Sequence, residues 1–232
     1  MLTLLSAAIA PTLALMTFFY LKDEFNEEPI SSVVRTFLYG AILVFPIMFI
    51  QYAFEEEGIG QMPFIRSFVL IGLLEEFFKW FVFLYTVYKY TKFHSVYDGI
   101  IYGVSVSLGF ATVENLLYLI ANGIEFAFAR ALFPVSSHAL FGVIMGYYMG
   151  KAKFERRTKK MMITIFIALI IPAILHGAYD FILATITSNW LYILIPFMIG
   201  LWINGLRKVK LANQLKHDQL VYFPEKSFQK ME

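Results

Sequence analysis

Seven ionisable or imidazole side chains lie in stretches of this chain that are otherwise apolar: Glu75, Glu76, Lys79, Glu114, His138, His176 and Asp180. Lys79 follows Glu75 by four residues and Glu76 by three, so on a helix both carboxylates reach one ammonium. Two carboxylates against one lysine leave a surplus negative charge, and low dielectric favours keeping a proton on the pair. A carboxylate pair divided in this way suits general acid–base catalysis, whereas a plain buried ion pair needs only one glutamate. His176 and Asp180 are also four apart. A carboxylate so placed can accept from one imidazole N–H and turn the other nitrogen toward a site. Pro172, one turn earlier, removes a helical hydrogen bond and predicts a kink.

Two further motifs run at intervals of four. Gly99, Gly103, Ser107 and Ala111 lead to Glu114 and Asn115, and His138 is followed by Gly142, Gly146 and Gly150. Such stripes of small residues are packing features, since they let two helices approach closely. They would hold Glu114 and His138 near a shared centre.

The elements that carry these groups are membrane spans. Of 232 residues, 59% are hydrophobic and 16% charged, with 25 Phe, 14 Tyr and 3 Trp. Soluble domains carry less apolar and more charged sequence, and one of this size has too little interior to hide the excess. Lipid is therefore the solvent for most of the chain. Seven stretches reach spanning length: 2–21, 33–54, 64–90, 99–121, 124–150, 161–187 and 190–206. No period-two alternation suggests a β-barrel. The fold class expected is all-α, a polytopic transmembrane bundle of about seven helices. A single transmembrane domain would span 1–210, followed by a polar cytoplasmic tail over 211–232.

Basic residues collect in alternate connections. Lys22 and Arg35, Lys89 and Lys92, the stretch 151–160 and the segment after Leu206 are basic, while the other connections are nearly bare. The positive-inside rule then places the N-terminus outside and the C-terminus in the cytoplasm. Counted from the outer ends of the spans, the polar groups lie roughly 10–21 Å deep at 1.5 Å per residue. A water-filled cavity open to the outside accounts for that shared depth. A charge at the centre of an isolated span costs about 2.5–3.5 kcal/mol, so the five acidic and basic groups would cost on the order of 12–17 kcal/mol if left apart. They must meet one another, water or a metal. A net charge of +2 gives no argument for nucleic acid, and no cysteine is available as a thiolate nucleophile or zinc ligand.

In order along the chain stand Glu75-Glu76-x-x-Lys79, Phe110-x-x-x-Glu114-Asn115, His138-x-x-x-Gly142 and His176-x-x-x-Asp180. Over about Leu70 to Asp180 this set resembles the PrsW family of bacterial intramembrane proteases. The resemblance implies a multi-pass protein of the bacterial cell membrane. It implies site-1 cleavage of a single-span, RsiW-like anti-sigma factor on its extracytoplasmic side, as part of an envelope stress response. The implied catalytic residues are Glu75, Glu76 and His176, with Lys79, Glu114, Asn115, His138 and Asp180 supporting them. The set is also distantly similar to the CAAX-protease and bacteriocin-processing superfamily. It departs from that pattern because Lys79 stands where an arginine is expected one residue later, and Glu114 where a histidine is expected. A prenylated substrate is therefore not implied.

Two mechanisms fit these residues. Glu75 or Glu76 could activate a water while His176, oriented by Asp180, stabilises or protonates. Alternatively His138, His176 and Glu114 could bind a divalent metal such as zinc, which lowers the pKa of its water to about 7. The absence of a His-Glu-x-x-His motif favours the metal-free route. Ser136 and Ser137 directly precede His138, and neighbours on one helix do not face each other, so neither makes a serine nucleophile. The rival class is a proton-coupled transporter or channel, since intramembrane carboxylates and histidines also build proton relays.

Overall fold

The computed structural model describes residues 2–24 and 28–222, with side chains placed through Lys216, and its described residues are helical apart from short connections. Seven rods run back and forth: α1 (Leu2–Leu21), α2 (Ile30–Glu56), α3 (63–88), α4 (Val96–Asn122), α5 (Ile124–Lys153), α6 (Thr158–Thr185) and α7 (Leu191–Tyr222). Six of them are long and apolar enough to cross a membrane. The remaining rod, α3, carries Glu75, Glu76 and Lys79. It is continuous, but π-helical turns at Arg66–Leu73 and Phe83–Tyr88 bracket its α-helical stretch Leu74–Val82. α6 continues through Pro172 without a break. The polar stretch from Leu211 continues α7 as far as Tyr222, and the rest of the expected tail, 223–232, lies outside the described residues.

α4 is the central rod, buried along most of its length. Ser95 caps it through a reciprocal capping box with Asp98. Gly123 ends it at φ +107°, a conformation only glycine adopts without strain. The small-residue stripes act as the sequence predicts. A Cβ on Gly103 would strike the carbonyl oxygen of Gly142 and the Cα of Gly146, and one on Gly99 would strike the backbone of Gly146 and Gly150. Contact of α4 with α5 is therefore backbone on backbone. On its other sides α4 meets α2, where Gly109 faces the Phe37 carbonyl. It also meets α1, where Asn115 Nδ2 donates to the Ala8 carbonyl at 3.0 Å and the Tyr97 hydroxyl to that of Phe19 at 2.8 Å.

The two ends of the bundle differ in charge. At one end Asn213 Nδ2 donates to the Lys22 carbonyl at 2.9 Å, Lys153 Nζ reaches the Tyr88 carbonyl, and Lys208 sits over the rings of Tyr147 and Tyr148. The basic connections therefore share one face. The opposite end carries the Glu55–Arg66 ion pair at 2.7 Å and the loop around Gly123. Phenylalanines, isoleucines and leucines of α2, α6 and α7 cover the outside, as expected of surface that meets lipid.

Candidate active site

The seven polar groups meet inside the bundle. Lys79 Nζ is fully buried and donates to Glu76 Oε1 at 2.8 Å, to Glu75 Oε2 at 3.4 Å and to His138 Nδ1 at 3.2 Å. It also lies 4.1 Å from the centroid of Phe110. A buried ammonium with three acceptors and an aromatic face is a satisfied cation.

The two histidines are each held by a carboxylate. His138 Nε2 stands 2.8 Å from Glu114 Oε2. A carboxylate accepts, so this nitrogen carries the proton, and Nδ1 is the lone pair facing Lys79. His176 Nδ1 donates to Glu76 Oε1 at 3.0 Å, which leaves Nε2 toward the interior. The rings are perpendicular, with centroids 4.9 Å apart, and Phe141 stacks on His176 at 5.0 Å.

Asp180 Oδ2 lies 3.2 Å from His176 Nε2, one turn along the same helix, where the sequence places it. Glu76, on another helix, holds the opposite nitrogen of the same ring. The two adjacent glutamates also separate in role. Glu76 is wholly enclosed between Lys79 and His176, whereas Glu75 lines an open cavity. That cavity has a volume of about 460 Å³ and is walled by Glu75, Glu114, Arg130, His138, His176 and Asp180 among apolar side chains of α2, α4 and α6. Ala121, Pro134 and Leu183 also line it. These residues lie toward the end of the bundle opposite the basic face.

Three positioning features were not evident in the sequence. Arg130 lies near the start of the stretch 124–150, where its sequence neighbours assign it no partner. In the structure its Nη2 donates to Glu114 Oε1 at 3.0 Å, its Nε to Asn115 Oδ1 at 2.8 Å, and its guanidinium lies 4.0 Å from the Tyr118 ring. Gln51 of α2 donates to Glu75 Oε1 at 3.2 Å and to the Leu70 carbonyl at 3.1 Å, inside the π-helical turn. Gly72 abuts the backbone of Ala173 and Gly177, so α3 and α6 touch one turn from Glu76 and His176. Glycines at interlocking positions are the only signal the sequence offered for the last.

A family model described as the PrsW family intramembrane metalloprotease matches residues 28–203. The chain belongs to that family. Protease PrsW of Bacillus subtilis (strain 168) is 53% identical over 220 residues, covering 95% of this chain and 100% of the relative. Protease PrsW of Oceanobacillus iheyensis is 56% identical over 214 residues, covering 92% and 98%. Protease PrsW of Clostridioides difficile is 35% identical over 231 residues, covering 96% and 95%. No solved structure matches the chain. This is therefore a multi-pass bacterial membrane protease, and the transporter alternative is set aside.

The family description also bears on the metal. Glu75, His138 and His176 each offer a ligand atom within 4.8 Å of the others. Two imidazoles and a carboxylate are the usual protein ligands of an open catalytic zinc. Two buried acceptors nearby, Glu76 Oε2 and Asp180 Oδ2, lack donors; three carboxylates share the two fixed cations Lys79 and Arg130, and a fourth, Asp180, lies against His176. The donor set therefore fits a divalent cation. Glu75 stands with the two histidines in this cluster, while Glu114, which the sequence reading grouped with them, is engaged by Arg130 and His138.

Proposed function

We propose that this protease makes the first, extracytoplasmic cut in a single-span, RsiW-like anti-sigma factor, and so begins release of an extracytoplasmic-function sigma factor under envelope stress. The observation that carries the reading is the cavity in which Glu75, His138, His176 and Asp180 converge, set toward the non-basic end of the bundle. With the basic face cytoplasmic, a peptide bond just outside the membrane has the shortest path to these groups.

Glu75, His138 and His176 would hold a divalent cation, which supplies a water acidic enough to ionise near neutral pH. Glu76 accepts a hydrogen bond from His176 Nδ1, which leaves Nε2 facing the cavity. Glu114, fixed by Arg130, accepts from His138 Nε2, so His138 would ligate through Nδ1, the atom to which Lys79 Nζ donates. Asp180 Oδ2 has no donor and is placed to accept the proton that the attacking water gives up.

The test is co-expression with a tagged single-span anti-sigma factor, read by immunoblot. Wild type is expected to give the shortened product, and Glu75→Gln at equal protein level is not. Purified protease should lose activity to a zinc chelator and regain it with Zn²⁺. Activity that survives complete metal removal would overturn the metal assignment. Equal cleavage by Glu75→Gln would overturn the site. An active protease that leaves the anti-sigma factor whole would overturn the substrate.

A further inference from the structure

A second cluster lies at the opposite, basic end of the molecule, and the protease site makes no use of it. Glu28 stands just before α2, and His94 and Asp98 stand at the start of α4. His94 Nδ1 is 3.8 Å from Glu28 Oε1 and 3.8 Å from Asp98 Oδ2. The three ligand atoms all lie within 4.8 Å of one another. Ligands around a tetrahedral zinc at about 2.0–2.2 Å are ~3.3–3.6 Å apart, so a small contraction would close the cluster on an ion.

Both carboxylates are already aimed. The Tyr102 hydroxyl donates to Glu28 Oε2. Oε1 is left buried with no hydrogen-bond partner, in a residue only 3% exposed. Asp98 is fully buried and accepts from the backbone N–H groups of His94 and Ser95 and from the Ser95 hydroxyl. Oδ2 takes both backbone donors and Oδ1 the hydroxyl, so of roughly four lone-pair directions on a carboxylate the one that remains is on Oδ1. Outer hydrogen bonds of this kind orient ligands in metal sites.

The charges do not balance. Among the described residues neither Glu28 nor Asp98 has an ion-pair partner other than His94. Buried carboxylates are normally paired or bound to metal.

We propose that Glu28, His94 and Asp98 form a divalent-cation site of the zinc class on the basic face, separate from the protease site. The site pins the chain entering α2 to the start of α4, the rod on which Glu114 and Asn115 are carried. An imidazole with two carboxylates suits Zn²⁺ over Ca²⁺ or Mg²⁺.

The experiment uses full-length protein in nanodiscs. His138→Ala with His176→Ala removes the ligands on the other face. The stripped protein is titrated with Co²⁺ as a spectroscopic probe and then with Zn²⁺, with bound metal counted after desalting. One equivalent per chain is expected in this background. Glu28→Gln, which keeps an acceptor for Tyr102, and His94→Ala, which truncates a half-exposed ring, should each weaken binding at least tenfold. Asp98 is left intact because it caps α4. No bound metal in the background, or unchanged binding in both variants, would overturn the site. If the double-alanine background does not fold, the same variants are made in wild type. There each should lose one equivalent from whatever the parent holds, and an unchanged count would refute the proposal.

Discussion

Glu75 and Glu76 are neighbours in sequence and unlike in the fold. Glu76 satisfies two buried partners, Lys79 at 2.8 Å and His176 at 3.0 Å. Glu75 shares Lys79 at 3.4 Å and faces the cavity. Glu75→Gln should therefore leave the protein at its normal membrane level and lower turnover by about 100-fold or more, because a neutral amide replaces an anionic ligand of the cation. Glu76→Gln should lose activity and also destabilise the fold by about 3–5 kcal/mol, because Lys79 keeps its buried charge with a weaker partner. Immunoblot level alongside cleavage rate separates the two, and identical profiles would show that the roles are not divided. Arg130 acts one step further out, through Glu114 and Asn115. A lysine there keeps the charge but cannot form both hydrogen bonds or lie flat over Tyr118. Arg130→Lys should cost about 10–100-fold in kcat with little loss of protein, as outer partners of metal-site histidines do. Single-turnover cleavage in detergent measures it. Composition revealed Arg130 only as an isolated charge, because its partners are 15 and 16 residues away and meet it only after α4 and α5 pair.

At the scale of helices, close approach sets the site. α4 and α5 touch through glycine backbones, and α3 meets α6 at Gly72 and Gly177. A methyl group at Gly103 or Gly146 has no free volume, since its neighbours are main-chain atoms that cannot rotate away. Gly103→Ala and Gly146→Ala should each lower the melting temperature of the purified protein markedly and separate Glu114 from His138, with loss of activity. Gly200 in α7 meets nothing within 4 Å. Gly200→Ala should be neutral, or stabilising by up to about 1 kcal/mol through helix propensity. Equal melts for all three would mean that the α4–α5 contact does not bear on stability. These glycine stripes were legible in the sequence because an interval of four puts residues on one helix face. The π-helical turns of α3 were not. Gln51 on the Leu70 carbonyl and Gly177 on Gly72 pack against the first of them, and neither contact is local in sequence.

For the whole molecule, hydropathy was the readable quantity. It delivers the seven rods, because twenty apolar residues have few alternatives to a membrane helix; their ends fall within a few residues except in α7, which runs on through polar sequence to Tyr222 rather than stopping at 206. It also pairs the charge asymmetry of the connections with the direction of the chain. It does not show which polar groups in those connections meet, so Glu28, His94 and Asp98 stay scattered until the bundle is closed. The orientation of that bundle decides whether the cavity opens to the extracytoplasmic side, and it can be read directly because the chain has no cysteine. A single introduced cysteine is then the sole thiol. Gln61 and Arg156 are exposed in connections at opposite ends. With the basic face in the cytoplasm, Gln61→Cys should react with a membrane-impermeant maleimide on cells whose cytoplasmic membrane is intact. Arg156→Cys should react only after that membrane is permeabilised. The reverse pattern would turn the cavity toward the cytoplasm. A cut at the extracytoplasmic side of a single-span substrate would then be out of reach of Glu75 and Asp180, even though the chemistry of the site would be untouched.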